Sequence, residues 1–239
     1  MKTVETCLSP ELFNLFDIRG KVVVVIDILR ATSCITTALA HGVGGIIPMA
    51  DLEECRKYKE KGLLIAGERD GKTVEGFDLG NSPFSYMEPS LKGKTIAFTT
   101  TNGTQAIAAA QQEAAEVVIG SFLNKTVLAN YLREQPNNIF IFCAGWRGKI
   151  SMEDTLFAGA LLQLLRKGIE FGNDACRLAL SAYVSAQDNL QDFLSDCTHY
   201  KRLQNFGLQA DIDFCLTQDK YPILPHLVEG MLLPKAIAG

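Results

Sequence analysis

The stretch TTTNGT at residues 99–104 gathers hydroxyl and amide side chains between an apolar run and an alanine-rich segment. A helix that starts here would present unpaired backbone N–H groups and the positive end of its dipole, which together bind anions. Gly103 would let a phosphate, sulfonate or carboxylate approach the backbone closely. Helix capping by Thr or Asn alone would also explain the residue types. The expected phosphate-binding residues of this stretch are Thr100, Thr101, Asn102, Gly103 and Thr104.

Carboxylates in separate parts of the chain supply hard oxygen ligands. No histidine cluster accompanies them, which favours Mg²⁺ over Zn²⁺ as the metal. The expected magnesium ligands are Asp27, Glu68, Asp78, Glu153 and Asp154.

Several of these carboxylates also have a purely structural interpretation. Asp27 follows an apolar run and either caps the next helix or faces the active site as a metal ligand or nucleophile. Glu68 and Arg69 suit either the site or an exposed ion pair in a surface turn. Ser151 and Asp154 have the spacing of a capping box, in which the two side chains would cap one helix.

Arginines and small polar residues complete the candidate site. Arg30, three residues after Asp27, suits a bidentate contact with phosphate. His199, in CTHYKRL, has no assigned role. The expected catalytic residues are Asp27, Arg30, Glu68 and Asp154, and the remaining expected substrate-binding residues are Arg69, Asn81, Ser121, Asn124, Gly145 and Gly148.

Missing residues exclude several other phosphate chemistries. The sequence has no GxxxxGK[ST] motif, which excludes a P-loop nucleotidase. A cysteine phosphatase needs an arginine six residues after its cysteine, but Lys149 is six residues after Cys143, so Cys143 is expected to be a buried thiol. Leu29 occupies the place of the second aspartate of haloacid-dehalogenase-type phosphatases.

The elements that would position these residues alternate along the first two thirds of the chain. The apolar runs KVVVVID, KTIAFTT, EVVIGSF and NIFIFCAG each lead through a polar turn into a segment of helical periodicity. This order predicts an α/β fold with a mostly parallel or mixed sheet and helices on both faces. The turns at the carboxyl ends of the strands would then form the site.

The rest of the chain is less regular. Residues 67–87 are glycine-rich and polar, which is typical of a functional loop. Residues 173–206 are expected to be helical, with Gly207 just after the last helix. The proline-punctuated segment 221–239 predicts no particular element. We expect residues 1–239 to form one α/β domain, with a candidate sub-boundary near residue 170.

Composition limits the partners. The formal net charge is −4 and no run of Lys or Arg exceeds two residues, which argues against nucleic acid. The seven cysteines are dispersed without a CxxC pair, as in cytosolic proteins, and no apolar run approaches the roughly 20 residues that span a bilayer. We expect a cytoplasmic protein with a small anionic substrate, no membrane partner, and a homodimer as the default assembly.

A series of blocks resembles the 2-phosphosulfolactate phosphatase family in order and spacing. The blocks are VVIDILRATS, AGER, GFDLGNSP, TTTNGT, GSFLN, CAGWRGKISMED and THYKRL followed by DIDFC. The resemblance covers nearly the whole chain. It implies an Mg²⁺-dependent phosphatase that converts 2-phospho-3-sulfolactate to 3-sulfolactate and phosphate on the route to coenzyme M. Trp146 and Arg147 are candidate positions for tuning the choice of substrate.

On this hypothesis Arg30, Arg69 and the TTNGT amides bind the phosphate beside Mg²⁺. The attacking group is either Mg²⁺-activated water, which we favour, or Asp27. Asn81, Ser121 and Asn124 would orient a substrate whose sulfonate and carboxylate need a second anion pocket. The alternatives are a phosphatase for another small phosphorylated hydroxy acid and a non-catalytic anion-binding protein, which would gain nothing from added carboxylates.

Overall fold

The apolar runs of the sequence become strands of one eleven-stranded sheet in the computed structural model, which describes residues 1–236. Residues 237–239, the end of the expected domain, lie outside the described residues. The strands are β1 (Thr3–Cys7), β2 (Val22–Ile26), β3 (Gly45–Pro48), β4 (Leu64–Arg69), β5 (Lys72–Thr73), β6 (Thr95–Thr99), β7 (Glu116–Gly120), β8 (Ile139–Cys143), β9 (Glu170–Phe171), β10 (Pro225–Val228) and β11 (Met231–Pro234). The α-helices are α1 (Ala31–Ala40), α2 (Leu52–Glu60), α3 (Gly103–Ala110), α4 (Lys125–Glu134), α5 (Met152–Leu165), α6 (Asp174–Ala186), α7 (Leu190–Leu194), α8 (Thr198–Asn205) and α9 (Gln209–Cys215).

The sheet consists of two parallel groups joined by an antiparallel hairpin. Its strand order is β5-β4-β6-β3-β11-β10-β7-β2-β8-β1-β9. Strands β4, β6 and β3 are parallel to one another, as are β7, β2, β8, β1 and β9. The hairpin β10–β11 pairs antiparallel with β7 on one side and with β3 on the other. The mixed sheet of the predicted α/β fold is confirmed.

Helices cover both faces of the sheet because its central strands are apolar throughout. All five residues of β2 are buried, and alternate side chains point to opposite faces. Val22, Val24 and Ile26 pack in the core beneath α4, α5 and α6. Val23 and Val25 pack in the other core, beneath α1 and α3.

The hairpin arises from the segment for which the sequence predicted no element. Its turn residues Glu229 and Gly230 both have positive φ, 49° and 81°, as in the tight turns that join antiparallel strands. His226 pairs with Val118 of β7, and Leu232 pairs with Ile46 of β3.

The predicted helical structure of residues 173–206 is confirmed, and the structure divides this segment into the three helices α6, α7 and α8. Gly207, with φ of 74°, ends α8 as expected. No helix among residues 1–236 is long and apolar enough to cross a membrane. All seven cysteines are free, and Cys143 is buried, which raises its pKa and makes its thiol a poor nucleophile.

Candidate active site

Asp27 follows β2 and lies in a cleft that is also lined by residues at or just after the carboxyl ends of β4 and β6. Its side chain is buried, and its Oδ1 accepts a hydrogen bond from Ala31 N, 3.3 Å away, at the start of α1. Asp27 therefore contacts the start of α1 and also lines the cleft, and its role as a metal ligand or nucleophile stays a prediction. Burial raises the pKa of Asp27 to about 6, although the nearby His199 charge opposes this rise.

Arg30 lines the same cleft and is held in place by a residue of α9. Its guanidinium donates to Asp211 of α9, and the two side chains are only 4% and 8% exposed. Ser82 donates to the other oxygen of Asp211 over 3.0 Å. A buried arginine requires such a partner, so Asp211 fixes both the charge and the position of Arg30. The peptide bond between Leu29 and Arg30 is cis.

The start of α3 borders the cleft beside Asp27. Thr101 and Asn102 line the cleft. A Cβ atom on Gly103 would lie 2.8 Å from Asp27 Oδ2, so glycine permits the close approach of α3 to this carboxylate. Thr100 and Thr104 have a different role, because their hydroxyls accept hydrogen bonds from each other's backbone N–H over 3.2 and 3.0 Å and so shape the turn.

The end of β4 contributes Glu68 to the cleft, and the segment that follows β5 contributes Asn81. The Glu68 carboxylate accepts a hydrogen bond from Gly71 N. Arg69 donates to the Glu68 carbonyl oxygen over 2.7 Å and to the Thr99 hydroxyl over 3.0 Å, so it braces the loop against β6.

Glu153 at the start of α5 is paired with His199 of α8. His199 Nδ1 donates to Glu153 Oε1 over 2.5 Å, and the His199 ring is stacked on Trp146 at a centroid distance of 5.4 Å. Burial alone would raise the pKa of Glu153, but the hydrogen bond and charge of His199 bring it below the ordinary value. This contact leaves Nε2 as the second nitrogen of a ring that lines the cleft.

Asp154 stabilises the backbone next to the cleft. Its Oδ1 accepts from Ile28 N over 2.9 Å and its Oδ2 accepts from Gly145 N over 3.1 Å, which ties the ends of β2 and β8 together. The capping box considered for Ser151 and Asp154 is not formed, although Ser151 does stand at the N-cap of α5. Both oxygens of the buried Asp154 are thus taken by backbone groups, and it does not line the cleft.

Three expected site residues lie elsewhere. Asp78 accepts a hydrogen bond from Ile65 N over 3.0 Å and pairs with Lys59, so it anchors the loop after β4 at the surface. Ser121 and Asn124 form a buried capping box after β7, and Asn124 also donates to the Ile223 carbonyl oxygen before the hairpin. These three side chains stabilise local structure.

Gly145 and Gly148 shape the loop after β8 and do not line the cleft themselves. Both have positive φ, 64° and 75°. The loop closes through paired backbone hydrogen bonds between Trp146 and Lys149, both 3.0 Å. It thereby presents Trp146 and Arg147 at the outer part of the cleft.

The acidic residues suit Mg²⁺ in chemistry, although residues 1–236 contain no group of three His, Cys, Asp or Glu side chains arranged to hold a metal. Magnesium in phosphate-processing sites commonly takes one or two carboxylates, and water and substrate phosphate fill the remaining positions. Asp27 and Glu68 line one cleft, and the buried Oε2 of nearby Glu153 has no hydrogen-bond partner among residues 1–236. The Asp27 and Glu68 carboxylates could supply these ligands.

Comparison with known proteins identifies the family of this chain. The family model described as 2-phosphosulpholactate phosphatase matches residues 7–230. The chain belongs to this family. The family name denotes phosphoric monoester hydrolases, and the predicted resemblance is confirmed.

Relatives resemble the chain over most of its length. Proteins named "Probable 2-phosphosulfolactate phosphatase" occur in Thermotoga petrophila, with 42% identity over 89% of this chain and 91% of the relative, and in Caldanaerobacter subterraneus, with 41% identity over 97% of both. A protein of the same name from Clostridium acetobutylicum is 38% identical over 90% of this chain and 93% of its own length.

Sequence reasoning missed Asp211 and Arg202 and gave His199 no role. His199 and Arg202 are three residues apart in THYKRL, a spacing that puts both on one helix face, and Asp211 begins DIDFC. Both blocks were recognised in the sequence. The place where they pack depends on contacts between distant segments of the chain, which local residue patterns do not reveal.

Proposed function

We propose that this chain hydrolyses 2-phospho-3-sulfolactate to 3-sulfolactate and phosphate with the help of Mg²⁺, in a route of the coenzyme M type. The family membership and the relatives' names support the substrate. The observation that carries the proposal is the convergence of the Asp27 carboxylate, the fixed Arg30 guanidinium and the start of α3 in one cleft.

Arg30 and the start of α3 would bind the phosphate. The guanidinium offers a planar set of donors that matches two phosphate oxygens, and Asp211 holds it in place. The backbone around Asn102 and Gly103 adds N–H groups at a helix N-terminus. Phosphoryl transfer depends mainly on such positioning and on charge stabilisation.

Asp27 and Glu68, which line the cleft, are the groups that would hold Mg²⁺. Bound there, the ion would neutralise phosphate charge and lower the pKa of a coordinated water. The surplus of carboxylates near Asp27, which includes Glu68 and Glu153, supports a cation in this place, because buried negative charges otherwise repel one another.

The leaving oxygen of the hydroxy acid needs a proton as its bond to phosphorus breaks. His199 is suited to donate it from Nε2, because Glu153 accepts the hydrogen bond from Nδ1 and so fixes the tautomer of the ring. Glu153 would then act on the reaction chiefly through His199.

Asp27 would act either as ligand to the ion beside an attacking water or as the nucleophile itself. We retain water as the favoured nucleophile. The two mechanisms differ in their effect on the configuration at phosphorus. Direct attack by water inverts the configuration of a chiral phosphate, whereas transfer through Asp27 involves two inversions and so retains it. Hydrolysis of an isotopically chiral phosphate ester would distinguish them.

The test of the proposal is phosphate release from 2-phosphosulfolactate, phospholactate and phosphoglycerates, each with Mg²⁺ and with EDTA. We expect rapid release from 2-phosphosulfolactate that EDTA abolishes and Mg²⁺ restores. Faster release from another acid would replace the substrate and keep the mechanism. No release from any member of the panel would favour an anion-binding protein.

A further inference from the structure

The outer part of the cleft, which we call the rim, contains two arginines that the proposed hydrolysis does not use. The rim consists of Asp70, Trp146, Arg147 and Arg202. Arg147 Nη2 lies 2.9 Å from Asp70 Oδ1, and Arg202 Nη2 lies 3.5 Å from the same oxygen. An oxygen of an acidic group therefore already fits between two guanidinium groups that come from distant parts of the chain.

Both guanidinium groups are held against aromatic rings. Arg147 and Arg202 lie 5.1 and 5.4 Å from the Trp146 ring centroid, and Arg202 also lies 5.1 Å from that of Phe206. Such cation–π contacts restrict the side chains before a ligand arrives. The rim therefore has the features of a preorganised anion site.

We propose that Arg147 and Arg202 bind the sulfonate of the substrate and that the sulfonate takes the place of the Asp70 carboxylate. This inference rests on the proposed function. In 2-phosphosulfolactate the phosphate ester and the sulfonate are on adjacent carbons, so one cleft must receive both groups. Arg30 is buried against Asp211 beside Asp27, whereas within the described residues 1–236 the rim arginines have only an exposed aspartate as a charged partner.

The substrate carries a second anionic group, its carboxylate. A carboxylate has two oxygens in a plane and is matched by one guanidinium fork. A sulfonate has three oxygens arranged around a tetrahedral sulfur, so it can accept hydrogen bonds from two guanidinium groups that approach from different directions. The two-arginine rim therefore favours the sulfonate.

The test measures kcat and KM for three esters in the full-length wild-type protein and in the variants Arg147→Gln and Arg202→Gln. The first ester is 2-phosphosulfolactate. Phospholactate keeps the carboxylate and lacks the sulfonate, whereas the phosphate ester of 2-hydroxyethanesulfonate keeps the sulfonate and lacks the carboxylate. Arg177→Gln, an exposed position on α6, is the matched control.

We expect each rim variant to lose about tenfold to a hundredfold in kcat/KM on both sulfonated esters, mainly through KM, which is the range for a lost charge-assisted hydrogen bond. The kcat/KM for phospholactate should change by less than about twofold, which is the scale of an exposed charge interaction. Arg202→Lys, which keeps the charge and loses the planar fork, should lose less. Should Arg202→Gln fail to fold, the more exposed Arg147→Gln makes the test alone.

Three results would overturn the inference. One is an equal loss on all three esters, which would assign the arginines to the phosphate or to the fold. Another is a loss confined to the esters that carry a carboxylate, and the third is no loss at all.

Failure of the proposed function is distinguishable from failure of this inference. Wild-type protein that does not hydrolyse 2-phosphosulfolactate would refute the function. The binding of 3-sulfolactate, measured by calorimetry in the wild-type protein and in Arg202→Gln, would then test the rim. Weaker binding by Arg202→Gln would support the sulfonate site, whereas equal binding by both proteins, or no binding by either, would refute it.

Discussion

The inner floor of the cleft and its rim each pair an arginine with an aspartate, but the two pairs differ in burial. At the floor, which comprises Asp27, Arg30 and the supporting Asp211, the Arg30 and Asp211 side chains are 4% and 8% exposed. At the rim, the Arg147 and Asp70 side chains are 60% and 75% exposed. Breaking a buried pair costs about 3–5 kcal/mol, whereas an exposed pair contributes about 0–1 kcal/mol.

This difference separates two tasks. The floor arginine is fixed, as befits the phosphate that every substrate of a phosphatase must carry. The rim arginines can exchange their partner, as befits a group that distinguishes one substrate from another. Substitutions at the floor should therefore reduce turnover of all substrates, and substitutions at the rim should change their ranking.

The largest effect is expected from Asp27→Asn. Under either mechanism this carboxylate acts on the reacting phosphate, so kcat should fall about a thousandfold or more, within the range for losing a principal catalytic group. The measurement is steady-state phosphate release with saturating Mg²⁺. Activity above about a tenth of wild type would contradict the role of Asp27. A tenfold loss of rate corresponds to only about 1.4 kcal/mol of transition-state stabilisation, which is too little for a principal catalytic group.

The same variant should be more stable than wild type at pH 7. Because burial raises the pKa of Asp27 to about 6, the ionised group destabilises the folded state, and this penalty develops as the pH rises from about 4 to above about 6. Thermal unfolding in EDTA should therefore show a higher melting temperature for Asp27→Asn at pH 7 and a smaller difference at pH 4. An unchanged difference across this range would contradict the raised pKa.

The next largest effect is expected from Asp211→Asn, which leaves Arg30 without its buried counter-charge. We expect unfolding in urea to show a loss of about 3–5 kcal/mol and kcat/KM to fall about a hundredfold on every ester in the panel. Ser82→Ala removes only the other hydrogen bond of Asp211 and serves as the matched control. A loss no larger than that of the control would contradict the positioning of Arg30 by Asp211.

A smaller effect of opposite sign is expected from Asp70→Asn. The substitution removes the charge that competes with the sulfonate, and asparagine tolerates the positive φ of 54° at this position. At low salt, KM for 2-phosphosulfolactate should fall about twofold to fivefold with kcat unchanged, consistent with an exposed pair. A higher KM would show that Asp70 mainly positions the two arginines.

The smallest effect is expected from Asp78→Asn, at an aspartate that also has a cationic partner but lies outside the cleft. Activity should stay within about twofold of wild type, and the urea midpoint should fall slightly because the exposed pair with Lys59 contributes about 0–1 kcal/mol. A hundredfold loss of activity would return Asp78 to the list of candidate metal ligands.

The sequence predicted those parts of the fold that depend on local pattern. Strand β2 and helix α1 follow from an apolar run and a segment of helical periodicity. The hairpin was missed because its turn, Glu229–Gly230, is weaker than the Asn-Gly or Asp-Gly pairs that mark such turns. Its strands also pair with β7 and β3, which are distant in the chain.

The candidate site was predictable to the extent that it lies at strand ends. Asp27 and Arg30 follow β2 and Glu68 lies at the end of β4, so all three line the cleft from the carboxyl ends of strands, although β2 and β4 belong to groups that run in opposite directions. Asp154 resembles them in sequence context, yet its oxygens are taken by Ile28 N and Gly145 N. Such contacts depend on how elements pack, and residue type and spacing do not reveal them. The docking of Asp211 behind Arg30 has the same origin.

The position of the hairpin also affects how the protein is made. Strands β10 and β11 follow the other nine strands in the chain but lie between the two parallel groups of the sheet. During synthesis, β3 and β7 therefore present unpaired edges until the hairpin leaves the ribosome, and such edges invite association with other chains. Asp27 follows a strand of one group and Thr101 a strand of the other, so the hairpin must join the groups before the catalytic cleft is complete.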